Sequence, residues 1–282
     1  MHLIPVRPTE STQPNHTTSG GAPGDASCPA YPDHVPEVVR IAGLGIAALT
    51  PSQAVQQILR AATAHTPAAF HFINAYTVSL AASDIELKKV LNQSTATFPD
   101  GRPLSWFARI KSPAAQQVRG PSMFEAVFRN GQAHGTKHFL LGSTPETLEL
   151  LVEKLQGRHP EARIVGTFSP PYRLLTEEEV ADQDAMIRAS GADIVWVGLG
   201  TPKQDFEVQR VSRSTGIAAA AVGAAFDFSA GTKREAPAWL SPLGLEWLFR
   251  LLSEPRRLWR RYLIGNPLFL LEVLKYWRRE QR

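Results

Sequence analysis

Residues 137–168 read KHFLLGSTPETLELLVEKLQGRHPEARIVGTF, and this stretch decides the fold. KHFLLG is a short apolar run of strand length. Ser143-Thr144-Pro145-Glu146 follows it, with a hydroxyl to cap a helix and a proline at the first helical position. TLELLVEKLQGRHP then carries leucines at helical spacing, and ARIVGTF returns to strand character. Strand, helix and strand in that order form one βαβ unit, whose two strands lie parallel and whose connection is right-handed.

The alternation continues in both directions. Upstream, VVRIAGLGI reads as a strand or hairpin, and Thr50-Pro51 starts a helix through SQAVQQILRAATA. FHFINAYTV passes from strand into helix, DIELKKVLNQ is a short amphipathic helix, and TATFP is a strand ending at Asp100. Downstream, ADIVWVGLG and TPKQDFEVQR repeat the strand–loop–helix theme, and GIAAAAVGAAFDF reads as a last buried strand. After Pro237 come aromatic, Arg-rich helical segments: LGLEWLFRLLSE, PRRLWRRYLIG and NPLFLLEVLKYWRREQ. The expected architecture is α/β, a Rossmann-like, mostly parallel sheet flanked by helices, with a helical C-terminal appendage. The boundaries are a Pro/Gly/Ser/Thr-rich disordered leader over 1–36, the body over 37–235 and the appendage over 236–282.

Composition narrows the function. The 282 residues are 43% hydrophobic with one cysteine, Cys28, so no internal disulfide framework exists and a reducing cytosol suits the chain. The start, MHLIPVRPTE, lacks the apolar core of a signal peptide, and no run approaches the roughly 18 apolar residues of a membrane span. Residues 233–282 hold 11 Lys and Arg against 5 Asp and Glu, a surplus of six; the rest of the chain, with 19 bases and 21 acids, is at −2. Four of the six tryptophans share that cationic tail, which calls for an anionic partner such as phosphate groups, lipid headgroups or nucleic acid.

Some motifs mislead. Gly43-Leu44-Gly45-Ile46-Ala47-Ala48 matches a loose dinucleotide fingerprint, which needs an acid roughly 20 positions on for the ribose. No Asp or Glu occurs between Glu37 and Asp84, so a turn between strands is the better reading. Asp182-Gln183-Asp184 is formally a metal-binding DxD, but it sits in the helical EEEVADQDAMIRA, where a solvated face explains it. His134 and His138 lack helical context for zinc.

Loops beyond the carboxyl ends of parallel strands are where ligands bind. Asn74, Pro99-Asp100-Gly101, Gly142-Ser143-Thr144 and Gly198–Gln204 occupy such ends. Lys203 and Gln204 add polar reach that a turn does not require. Asp100 on its own residues is either a helix cap or a general base.

FPDGRPLSWFARI, HFLLGSTPETLELLVEKL, GLGTPKQDFEV, AVGAAFDFSAGTKREAPAWL and LGLEWLFRLLSEPRRLWRRYLIGNPLF together resemble the WecG/TagA/CpsF glycosyltransferases over residues 38 to about 275. The resemblance implies inverting transfer of a sugar from a UDP donor onto a polyprenyl-diphosphate-linked sugar, without a metal motif or cofactor. It also implies a cytoplasmic enzyme, peripheral on the inner face of the bacterial plasma membrane. On it, Asp100 is the general base, and Gly142, Ser143, Gly200, Pro202, Lys203, Gln204, Gly223 and Asp227 hold nucleotide or sugar. Asn74, Gly101 and Arg102 line the acceptor side, with Gly101 admitting substrate closely. Arg250, Arg257 and Arg260 meet the diphosphate, spaced by seven and three so that a continuous helix would align them; Pro255 interrupts it. Arg256, Arg261, Arg278 and Arg279 are expected at headgroups, with Trp259 and Trp277 as interfacial anchors.

Two positions depart from the family pattern. Asp205 replaces a common Glu and is expected to serve a structural hydrogen bond; Phe72 and Ile73 replace a small hydroxyl residue before Asn74. The donor is left open among N-acetylmannosamine, its uronic acid and glucose, as is homo-oligomerisation. The rival readings are a nicotinamide-dependent oxidoreductase and a non-enzymatic nucleotide- or nucleic-acid-binding protein. Nucleic acid is not an expected partner of the preferred reading.

Overall fold

The structure, a computed structural model, describes residues 36–240 and 243–280. Nearly all of the expected leader therefore lies outside the described residues. The described residues open with an antiparallel hairpin of β1 (Val38–Ile41) and β2 (Leu44–Ala47), turned at Ala42 and Gly43, both at positive φ. The dinucleotide-like glycines thus serve a hairpin, and no helix starts at them. Helix α1 (Pro51–Thr63) begins at a capping box in which Thr50 and Gln53 satisfy each other's backbone N–H groups.

Six parallel strands follow: β3 (Ala69–Ile73), β4 (Ala96–Pro99), β5 (Lys137–Gly142), β6 (Arg163–Phe168), β7 (Ile194–Gly198) and β8 (Ala218–Ala221). Their order across the sheet is β4-β3-β8-β7-β5-β6, with every pairing parallel. The connecting helices are α2 (Ala75–Ser83), α3 (Ile85–Asn92), α4 (Arg102–Lys111), α5 (Gly120–Gly131), α6 (Pro145–Arg158), α7 (Glu177–Ala189) and α8 (Lys203–Thr215). The β5–α6–β6 unit is the one read from residues 137–168.

Both sheet faces are buried, so alternate strand residues enter different cores. Leu140, Ile194 and Trp196 pack with Phe124, Phe128 and Phe226 on one face. Phe139, Leu141, Val195 and Val197 pack with Val208 and Val211 of α8 on the other. The central strand β8 is four alanines, small enough for α1 and α8 to close over it. The expected strand over GIAAAAVGAAFDF ends early. Gly223, at φ +53, turns the chain into a short helix, α9 (Ala225–Ala230).

The remaining chain forms α10 (Glu246–Ser253), α11 (Pro255–Trp259), a π-helical turn over Arg260–Ile264, and α12 (Gly265–Glu280). Phe269 and Val273 of α12 join a third core with Val39, Ile41, Val78, Leu87, Leu91 and Leu104. The last helix is therefore built into the same core as the first hairpin. Asp182-Gln183-Asp184 does lie on a helix, α7. Only Asp182 faces solvent; Asp184 is buried and paired to Arg210 at 2.9 Å, so the expected solvated face is half an interface with α8.

Candidate active site

Asp100 stands just beyond β4, where the strand's backbone bonding ends. Its N–H donates to the carbonyl of Ile73 at 2.7 Å, and its carbonyl accepts from Gln117 Nε2 at 2.7 Å. The Gly120 N–H, the first of α5, donates to the carboxylate Oδ1 at 2.9 Å. A helix N-terminus suits an anion there. The residue is half-buried, and burial raises its pKa above the ordinary carboxylate value. The Gly120 N–H, Arg119 and Arg250 pull the other way, and the Glu246 charge adds to the rise.

Arg119, immediately before α5, reaches Glu235 at 2.6 Å and Glu246 at 3.3 Å. Burial opposes its charge, but Glu246, Asp100 and Glu235 hold its pKa above the usual guanidinium value. Arg250 lies over the Phe228 ring at 5.3 Å and lines a cavity of about 210 Å³ with Lys233, Arg234, Ser253 and Glu254. Asp227 sits beside that cavity, accepting from Lys233 Nζ at 2.7 Å. Helix α10 thus delivers Glu246 and Arg250 to the sheet edge that carries Asp100.

Of the three expected arginines, Arg250 and Arg257 share the field of Glu254 at the cavity. Arg257 is exposed and binds Glu254 at 2.6 Å, and Arg260 is exposed over Trp259 at 5.2 Å. Arg261, expected at headgroups, turns inward instead. Its guanidinium stacks over Tyr76 at 5.2 Å, and it shares the field of Arg250 and Asp100. Arg256, Arg278 and Arg279 are exposed.

Asn74 caps α2, its Oδ1 accepting from the N–H groups of Tyr76 at 3.1 Å and Thr77 at 3.4 Å. A Cβ on Gly101 would stand 3.1 Å from the Asn74 Cβ, so that glycine makes room for Asn74. Arg102 opens α4 alongside. Gly142, at φ +120, packs on Gly198 with space for no Cβ, 2.7 Å from its backbone. Ser143, also left-handed at φ +61, accepts from Ser169 Oγ at its carbonyl, 2.7 Å.

In the Gly200–Gln204 loop, Gln204 is buried and turned back on its own turn. Its Oε1 accepts from the Gly200 N–H at 3.0 Å and lies against Gly223, while Pro202 precedes α8. Lys203 is exposed over the Tyr172 ring at 5.0 Å. Gln204 thus closes its own loop through Oε1. Asp205 makes a buried contact with His71 Nδ1 at 3.0 Å, joining α8 to β3, in keeping with a structural role.

Sequence reading missed Arg119, Gly120, Glu246 and the inward Arg261. Arg119-Gly120-Pro121 did carry a signal, a proline in the first turn of a helix. Nothing local marks Glu246, whose role arises from the approach of α10.

A parallel α/β body with a carboxylate at a strand end, near the guanidinium groups of Arg119 and Arg250, suits a site for anionic groups. The family model described as "Glycosyl transferase WecG/TagA/CpsF family" matches residues 39–282, and the chain belongs to that family. It is a glycosyltransferase of cell-surface polysaccharide biosynthesis, which in general uses a sugar-nucleotide donor and a lipid-linked acceptor. Among the described residues no helix is long and apolar enough to cross a membrane.

Proposed function

We propose that the enzyme transfers a hexose from a UDP-sugar to a sugar carried on polyprenyl diphosphate, with inversion, and that Asp100 is the general base. The acceptor hydroxyl attacks the anomeric carbon and its proton passes to Asp100. The bond from that carbon to the diphosphate oxygen breaks, and UDP leaves with the electron pair. A carboxylate with a raised pKa is the better proton acceptor. Arg250, with the diphosphate charge developing beside it, stabilises the leaving group. No step is routed through a metal or cofactor.

The observation that carries this reading is the Asp100 carboxylate, one oxygen on the Gly120 N–H and within the field of Arg119 and Arg250. The test is product mass from a screen of UDP-sugars against a lipid-diphosphate-sugar acceptor. Asp100→Asn abolishes transfer while UDP binding persists; near-normal turnover by that variant removes Asp100 from the mechanism.

The same reading makes the protein peripheral on the inner face of the plasma membrane, held through the appendage. In its support, Trp259 and Trp277 are 43% and 45% exposed beside Arg256, Arg260 and Arg278. Co-sedimentation with anionic phospholipid vesicles, weakened by Trp259→Ser and by salt, tests it.

A further inference from the structure

Arg261 is half-buried, and among the described residues no carboxylate forms an ion pair with it. Its Nε is enclosed and, among the described residues, has no hydrogen-bond partner and no ion pair. Two rings lie against its guanidinium, Tyr76 at 5.2 Å and Tyr262 at 5.8 Å, and Asp100 and Arg250 act on it through their charges. Stacking on tyrosine offsets part of the cost of removing a cation from water, but leaves the Nε–H donor unused. Burial accordingly lowers its pKa.

Local structure shows how the side chain is held there. Within the π-helical turn, the Gly265 N–H bonds back to the Arg260 carbonyl, five residues earlier. The extra residue in that turn rotates α12 away from the direction a regular helix would give it. Gly265 seats the turn: a Cβ at that position would lie 2.9 Å from Tyr76 Cδ2, so only glycine lets the chain settle on that ring. Tyr76 is bonded through its N–H to Asn74, and Asn74 abuts Gly101, next to Asp100. A continuous chain of contacts therefore links the turn to the base.

The geometry points to Arg261 as a diphosphate-binding residue of the site, held in place by the Gly265–Tyr76 contact and left for the substrate to neutralise. This rests on the proposed transfer reaction and deepens it. The ligand chemistry is a diphosphate, which either the nucleotide donor or the lipid-linked acceptor supplies. Arg119 differs in already being committed to Glu235 and Glu246.

The test is calorimetric titration of the full chain with inorganic pyrophosphate, UDP and farnesyl diphosphate. Arg261→Gln is expected to weaken pyrophosphate about ten-fold or more, the size of a lost charge-assisted hydrogen bond. Lys154→Gln, an equal charge loss on an exposed helix face, leaves the affinity unchanged. Loss confined to UDP assigns Arg261 to the donor, and loss confined to farnesyl diphosphate assigns it to the acceptor.

Arg261→Gln with wild-type affinity for all three ligands overturns the inference, even if UDP-sugar turnover upholds the parent reaction. A wild type that binds pyrophosphate through Arg261 but not UDP upholds the inference and removes the UDP donor. Binding of none of the three by the wild type ends both. Should Arg261→Gln not fold, Arg261→Lys decides. It keeps charge over Tyr76 and loses the planar fork, so reduced affinity supports the role and unchanged affinity refutes it. A purely structural role would lower the melting temperature and leave the affinity of the folded protein unmoved.

Discussion

The Gly120 N–H points at the Asp100 carboxylate from 2.9 Å, tying the end of β4 to the start of α5. The bond holds the acid at the sheet's edge and favours its charged form, while burial favours the neutral one. Burial wins, and the pKa is raised. As a base the group is therefore stronger than a free aspartate, and less of it is ionised in acid.

The proposed role fixes the sign of a pH profile. Activity needs the carboxylate, so kcat/KM falls as pH drops through the raised pKa. The acid limb accordingly lies above the ordinary aspartate value of about 3.9. A limb at or below that value contradicts the assignment.

Stability should run the other way. A carboxylate whose folded pKa is raised contributes stability below its unfolded pKa, and that contribution is lost as pH rises through the folded value. Asp100→Asn keeps an oxygen for the Gly120 N–H and sheds the buried charge. Its melting temperature at neutral pH should equal or exceed that of the wild type, with the gap closing in acid. Thermal scans across pH would show a deficit if charge repulsion and burial were not the governing terms.

Arg119 is the other lever on this acid. Arg119→Gln removes a cation that favours the Asp100 anion and leaves Glu246 facing it. The acid limb should move to higher pH, and turnover should fall by about 10²-fold, the scale of losing one preorganised charge. A profile superimposable on that of the wild type would dismiss the electrostatic link.

His71 and Asp205 test the scaffold apart from the chemistry. Both side chains are essentially inaccessible and meet at 3.0 Å. His71→Phe leaves the Asp205 carboxylate without that partner and should cost about 1–3 kcal/mol in denaturant unfolding. Asp205→Glu, toward the common family residue, adds a methylene to the same closed space and should cost a similar ~1–3 kcal/mol. A neutral result for both would mean the contact is dispensable.

Phe269 tests how far the appendage is separable. It is 1% exposed, and Phe107 meets it edge-on at 5.7 Å. Phe269→Ala should destabilise by about 3–5 kcal/mol. Truncation after Pro237 would likewise bare Ile73, Val78 and Leu104, so the shortened body should unfold at lower denaturant as well as lose activity.

Much of the body was legible because its elements are marked by period and punctuation. Thr50, Asn74, Thr144 and Thr176 all cap helices through their side chains, and the strands are short apolar runs. The glycine-marked loops also fall at strand ends, as a parallel sheet requires. What escaped was set by tertiary approach. The spacing of Arg250, Arg257 and Arg260 presumes a uniform helix, whereas the break at Glu254 and the π-helical turn re-aim the chain so that Arg261 faces inward. Gln204 has the chemistry of a ligand group, yet the packing of Gly223 beside it makes it a brace. The strand read through Ala221 to Phe228 failed because one left-handed glycine outweighs a continuous apolar run.

Val39 and Ile41 in the first hairpin share one core with Phe269 and Val273 in the last helix. During synthesis the two halves of that core are made more than two hundred residues apart. The nascent chain carries an unfinished apolar surface until α12 has emerged. A copy cut short before α12 would keep that surface bare and be prone to aggregate.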